Sequence, residues 1–150
     1  MNNKIMLSIH HEHSELIYSG KKTLEIRKNA PRRKSWGGGI YDTIFLYETK
    51  QPYRGTDGLL YPGEGAVTGF FLCKAYEATN AFTSHDFYKK EEIRNSFILQ
   101  SCLTEDKLEK YAQDSTIYGW KVNTPIRFPH PIPLSDFGLT RAPQSWQYLK

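Results

Sequence analysis

The chain is poor in several things that would have placed it quickly. It has two cysteines, Cys73 and Cys102, in 150 residues. That is too few for the disulfide framework of a small secreted domain, and it predicts a reducing, cytoplasmic setting. No stretch approaches the roughly 18 to 20 apolar residues of a membrane helix. The first residues carry no long apolar core or small-residue cleavage site, so no secretory signal is expected. Repeats, low-complexity segments and an evident domain boundary are also missing, and the length suits one domain. Excess charge is scarce: the net value is +4. That permits an anionic partner without demanding one. With 39% hydrophobic and 24% charged residues, the chain has enough apolar surface to fold.

The charge that is present is concentrated. Between Lys21 and Lys34 stand Lys21, Lys22, Arg27, Lys28, Arg32, Arg33 and Lys34, against one acid, Glu25. Gly20-Lys21-Lys22-Thr23-Leu24-Glu25-Ile26-Arg27 combines a glycine turn with a short strand. On a strand, Leu24 and Ile26 point one way and Thr23, Glu25 and Arg27 the other. Glu25 and Arg27 then stand roughly 7 Å apart along one face, with Lys22 able to swing onto it from the turn. Two readings follow. One is an ion pair on a strand face, worth under about 1 kcal/mol if exposed. The other is a polar ligand held between a carboxylate and fixed cations.

Local patterns predict the elements around this cluster. Residues 4 to 9 read as a strand, and His11 to Ser19 as a short helix with Leu16 and Ile17 inward and Gly20 as its stop. Asn29 to Gly39 reads as a loop ending in three glycines. Thr43 to Glu48 alternates Ile44 and Leu46 against Phe45 and Tyr47, a strand pattern. A second loop spans Lys50 to Gly63. Gly65 to Ala78 reads as one long strand bent at Gly69. A helix from Ser84 or Asp86 to about Gln100 carries Ile93, Phe97 and Ile98 on one stripe. A shorter helix, Glu105 to Ala112, is capped by Thr104. Tyr118 to Val122 is a late strand. The proline-rich tail is expected to be extended and irregular, with Ile126, Phe128, Ile132, Leu134, Phe137 and Trp146 wrapping the core. The fold class is therefore α+β, a small, mostly antiparallel barrel with peripheral helices.

In this order, the chain resembles the ASCH family of the PUA-like superfamily. The family signature Gly-x-Lys-x-x-Glu-x-Arg is filled by Gly20, Lys22, Glu25 and Arg27. Leu7-Ser8-Ile9, Leu16-Ile17 and Leu46-Tyr47-Glu48-Thr49 sit where the family has them. So do Tyr118-Gly119-Trp120-Lys121-Val122, Pro131-Ile132-Pro133-Leu134 and Pro143-Gln144-Ser145-Trp146-Gln147-Tyr148, and the similarity runs over most of the chain. The resemblance implies a PUA-like β-barrel with a cleft beside the signature, and an association with RNA or transcription-linked regulation. Some bacterial members are enzymes. One similar in its signature hydrolyses the acetyl amide of N4-acetylcytidine, using the signature lysine, a threonine two residues before the arginine, and a distant glutamate. Another cuts RNA. Lys22 matches that lysine, but Glu25 occupies the threonine position, and no counterpart of the distant glutamate stands near Leu99 to Thr104. A carboxylate does not repeat the role of a hydroxyl.

The expected function is thus nucleic-acid binding, with RNA or a nucleotide-like ligand as partner. A small hydrolase acting on a modified nucleoside or on RNA is the alternative, with Lys22 and Glu25 as its catalytic pair. Expected ligand contacts are Lys22, Glu25, Arg27, Lys28, Arg32, Arg33 and Lys34 by charge, and Thr49 by its hydroxyl. Tyr47, Tyr118 and Trp120 are candidates for stacking a base, against the alternative that strand aromatics form core. No cofactor is expected. No metal is expected either: His10, His11 and His13 straddle a strand end and a helix start, which makes them diverge. Cys102 lacks an activating neighbour in sequence.

Overall fold

A computed structural model describes residues 2–32, 41–84 and 90–150. Arg33, Lys34, the three glycines Gly37 to Gly39 and the helix-cap candidate Asp86 lie outside the described residues. Among the described residues the protein is a mixed α+β structure with three sheets. No described helix is long and apolar enough to cross a membrane.

The first strand, β1 (Lys4–Ile9), is buried on both faces from Ile5 onward. Ile5, Leu7 and Ile9 enter one core with Ile44, Leu46 and Phe71, while Met6 enters another with Tyr47 and Val67. That split is the period of two expressed against two covered faces. β3 (Asp42–Glu48) pairs with β1 in parallel, the one departure from an antiparallel plan among the described pairs, and β6 (Ala66–Cys73) returns antiparallel to β3. β9 (Asn123–Ile132) and β10 (Trp146–Tyr148) close the two edges, giving the order β10-β1-β3-β6-β9. Between β1 and β3 lie α1 (His11–Tyr18) and β2 (Leu24–Arg27). β2 joins β8 (Ile117–Lys121) and β7 (Tyr76–Thr79) in a second sheet, in the order β2-β8-β7.

Three sequence expectations are corrected. The single strand over Gly65 to Ala78 is two strands in different sheets, broken at Lys74 and Ala75, because its two halves serve different layers. The bend at Gly69 is present: the pairing register with β9 shifts between Val67 and Gly69, and with β3 between Leu46 and Tyr47. A Cβ at Gly69 would sit 2.2 Å from the Ile126 carbonyl oxygen, so a hydrogen there lets the strands close. The loop over Lys50 to Gly63 contains a two-stranded ribbon, β4 (Tyr53–Arg54) with β5 (Leu60–Tyr61). The proline-rich segment expected to be irregular is instead the ten-residue β9. It tolerates Pro125, Pro129 and Pro131 because it is an edge strand, where a missing N–H need not break a ladder.

The tail does wrap the core. Phe128, Ile132, Leu134 and Phe137 cover Met6, Tyr47 and Val67, and Trp146 packs on the other core. Ile126 is the exception, 44% exposed on the edge strand. Helices α2 (Lys90–Ser101) and α3 (Glu105–Ala112) cover the second sheet, where Phe97, Leu108 and Ala112 meet Leu24, Ile26 and Ile117. Arg94 locks the two helices together by pairing with Glu105 and Glu109. Ser84 bonds Asp114 through its backbone N–H and its hydroxyl, and the residues between it and Lys90 lie outside the described ones. Thr104 does cap α3: its hydroxyl oxygen accepts from the Lys107 N–H at 3.2 Å. Replacing Thr104 with alanine is expected to lower stability by about 1 kcal/mol in a denaturant titration, with Thr104→Ser recovering most of it.

Candidate functional site: a charged cleft beside β2

The signature is shaped by its own turn. Helix α1 ends with the Ser19 N–H on the Glu15 carbonyl, and Gly20 then takes a left-handed φ of +82°. That reversal lets the Lys22 N–H donate back to the Leu16 carbonyl at 3.0 Å. Thr23 N–H then bonds the Gln100 carbonyl of α2, and β2 begins. The turn thus sends the Lys22 side chain inward. Lys22 is 1% exposed, a rare state for lysine that needs partners. It has two: Nζ donates to the Ser101 carbonyl at 2.6 Å and lies 3.6 Å from Glu25 Oε2.

Glu25 is 6% exposed, so the exposed surface pair considered from sequence is not what forms. Arg27 Nε donates to Glu25 Oε1 at 3.2 Å. The same guanidinium donates to the Ser8 carbonyl at 2.8 Å and to Ser145 Oγ at 3.2 Å, tying β2 to β1 and to the tail. Burial pushes the Glu25 carboxyl up. Lys22, Arg27 and His13 outweigh it and hold the group below the ordinary carboxylate range. Glu25 Oε2 nevertheless accepts no hydrogen bond, and neither does His13 Nδ1. Glu25 and His13 line one cavity of about 370 Å³, together with His10, Lys22, Arg27, Thr49, Lys107, Tyr111 and Gln144. For His13, burial and the nearby Lys22 cation lower the imidazole's affinity for a proton, with Glu25 and Glu12 opposing. Burial also pushes the Tyr111 hydroxyl up, so it remains a neutral donor at physiological pH.

The cleft gathers Lys22, Glu25, Arg27 and Thr49 from the residues expected by sequence. Lys28 sits at its margin, with Nζ on Gln113 Oε1 at 2.9 Å and 5.0 Å from the centre of the Tyr111 ring. Arg32 is exposed, its N–H donating to the Tyr148 hydroxyl. Tyr47, Tyr118 and Trp120 do not line the cleft. Tyr47 is buried under the tail, Tyr118 packs beside the first core, and Trp120 is 0% exposed with Nε1 donating to the Asn29 carbonyl. The described aromatic ring that does line it is Tyr111. The expected divergence of the three histidines holds only for His11, which turns to Glu48; His10, bonded to Thr49, lines the cleft together with His13.

Sequence reasoning missed His10, His13, Lys107, Tyr111 and Gln144 as cleft residues. The spacing of Lys107 and Tyr111 places them on one helical face, a signal that was there to use. Nothing local to α3 or the tail says which strand that face meets.

A small mixed α+β protein with a charged, half-enclosed cleft is the class that this geometry defines. The chain belongs to the ASCH domain family, which matches it over residues 7–130. No curated protein matches it by sequence. Its fold is similar to the crystal structure of ASCH from Zymomonas mobilis, with a TM-score of 0.70 at 19% identity over 99% of this chain and 88% of that one. Two variants of that protein are similar in the same way. A serine-to-alanine form gives a TM-score of 0.70 at 18% identity, over 99% of this chain and 89% of that one. A tyrosine-to-phenylalanine form gives 0.70 at 18%, over 99% and 91%.

Proposed function

We propose that the chain binds single-stranded nucleic acid, RNA foremost, by drawing one base into the cleft beside β2. The observation that carries this is the buried, unpartnered Oε2 of Glu25 in a cavity flanked by Lys22, Arg27 and Lys107. A buried acceptor without a donor costs free energy, and a ligand N–H removes that cost. The exocyclic amine of a base is such a donor, while a phosphate is not. The cavity volume falls within the ~300–1,000 Å³ usual for ligand pockets. Phosphates then belong at the margin, near Lys28, Lys107 and the exposed Arg32, with Arg33 and Lys34 following in sequence. In this reading the five- and three-stranded sheets are the walls of a PUA-like barrel. They are joined where segments 66–79 and 117–132 pass from one sheet to the other. The two cysteines, both free, suit a cytoplasmic site of action.

Labelled single-stranded RNA is expected to bind with an affinity that falls as salt rises. Arg27→Ala and Arg33→Ala should each weaken binding, and each phosphate contact removed should flatten the salt slope by about 0.7. An absence of any anisotropy change at low salt, together with silence of both variants, would sink the reading.

A second reading, hydrolysis of a modified nucleoside, draws support from the Lys22 amine buried against Glu25 in the same cleft. Both contacts of that amine are with acceptors, so it stands as a proton donor in this arrangement. A panel of acylated nucleosides decides between the readings: turnover lost in Lys22→Ala supports the hydrolase, and no turnover supports the binder.

A further inference from the structure

A second and larger cavity, of about 810 Å³, adjoins the cleft, and His10 lines both. Its inner wall is the start of α1, and its outer wall is the β4–β5 ribbon. Tyr53 and Tyr61 are register partners, so their rings stand on one face of the ribbon. Tyr53 stacks on His11 at a centroid distance of 3.4 Å and meets Tyr61 at 5.8 Å. The root of the ribbon is fixed as well. His11 Nδ1 lies 2.8 Å from Oε1 of buried Glu48, whose Oε2 accepts from the Glu64 N–H at 2.8 Å. The groove is thus built before any partner arrives, which spares the cost of ordering it.

Its charge is opposite to that of the molecule. Glu12 and Glu15, three positions apart on one helix face, and Asp57 line it with one guanidinium, Arg54, beside His10 and His11. Arg54 donates to the Gly58 carbonyl at 2.6 Å, and Asp57 is held within the ribbon by the Tyr61 hydroxyl and the Leu59 N–H. Glu15 is shared with Arg127 at 2.6 Å, while the Glu12 side chain is 74% exposed. The chain carries +4 overall, so a cation held here is drawn by the groove and not by the whole protein. An independent sign of a partner is apolar. Of the six large hydrophobic side chains exposed among the described residues, three, Leu59, Leu60 and Tyr61, are consecutive on this ribbon.

We propose that this groove is a docking site for a basic peptide segment, which lays an arginine side chain over Tyr61 toward Glu12 and Glu15. A planar guanidinium suits both contacts, since it stacks on an aromatic face and pairs with carboxylates. The exposed leucines then meet apolar residues that flank the arginine. A nucleic-acid strand is disfavoured here, because three carboxylates repel its phosphates. This surface lies outside the cleft, and the proposal stands independently of the nucleic-acid reading.

The test is fluorescence anisotropy of a short labelled peptide of alternating glycine and arginine on the full chain. Binding is expected at low salt, weakening as salt rises. A glutamate version of the peptide should not bind, and a lysine version should bind about threefold more weakly. Tyr61→Ala should weaken the arginine peptide about fivefold through loss of the cation–π contact. Tyr61→Phe, which keeps the ring, should stay within about twofold. Glu12→Gln changes an exposed side chain outside the ribbon and should weaken binding about threefold. No binding at low salt overturns the proposal. So does wild-type affinity in both Tyr61→Ala and Glu12→Gln, which would place the peptide elsewhere. A loss of single-stranded RNA affinity in Tyr61→Ala, with the peptide unaffected, also overturns it and makes the groove part of a nucleic-acid path.

Discussion

Lys22→Met is expected to destabilise the protein by about 3 kcal/mol at neutral pH, because it breaks a buried ion pair from one side. The methionine keeps the length and apolar stem of lysine. What it removes is the ammonium that donates to the Ser101 carbonyl and lies 3.6 Å from Glu25 Oε2. Glu25 would then keep its burial with Arg27 as its remaining close cation. The pH dependence tells this apart from lost packing. In the wild type the folded carboxyl lies below its ordinary value of 4.5, so its ionisation stabilises the fold above that value. That contribution is lost as pH falls through the folded value. In Lys22→Met the balance tips toward burial, the carboxyl rises, and its ionisation opposes folding at neutral pH. The gap between variant and wild type should therefore be widest near pH 7 and narrow toward about pH 4, where Glu25 takes up a proton. Denaturant midpoints at both values measure it. A gap independent of pH would mean that the pair does not set the state of Glu25.

Trp120→Ala is expected to cost about 3–5 kcal/mol, the range for truncating a buried large aromatic. Trp120 is fully buried, meets Tyr76 and Trp146 edge-on at centroid distances of 5.2 and 5.5 Å, and donates to the Asn29 carbonyl at 3.1 Å. The Asn29 side chain accepts from Trp146 Nε1 as well, so this one residue anchors both indoles at the start of the basic loop. Trp120→Phe keeps much of the volume and loses the indole donor; a cost of about 1–2 kcal/mol is expected. RNA affinity of the Phe variant, measured well below its melting temperature, should stay within about twofold of the wild type. A sharp loss of affinity with unchanged melting would return Trp120 to the role of base-stacking platform.

These two residues show how far local pattern reaches. Lys22 was legible as a cleft residue because its position depends on a few neighbours: a helix end, a left-handed glycine and the start of a strand. Its burial was not legible, since the carbonyl that receives it belongs to Ser101, 79 positions away. Trp120 was a candidate for stacking a base, against the commoner role of strand aromatics as core. A strand residue has two candidate faces, and packing from elsewhere decides which is covered. The alternation in β3 announced its two faces, and the structure covers both. The prolines of β9 argued for irregularity because sequence does not state that a strand lies at a sheet edge.

By itself the sequence determined the short-range features: strand periods in β1 and β3, the glycine stop of α1, the Thr104 cap, and the Gly20 to Arg27 cluster. Each is settled within a few bonds of backbone geometry and hydrogen-bonding capacity. Only the tertiary structure decided that His13, Glu25, Lys107, Tyr111 and Gln144 share one cavity, and that Glu25 is buried there between Lys22 and Arg27. Those facts follow from sheet order and from helices laid over the second sheet. Hydrophobic burial and strand pairing choose these arrangements over long separations, where no local preference of the chain acts.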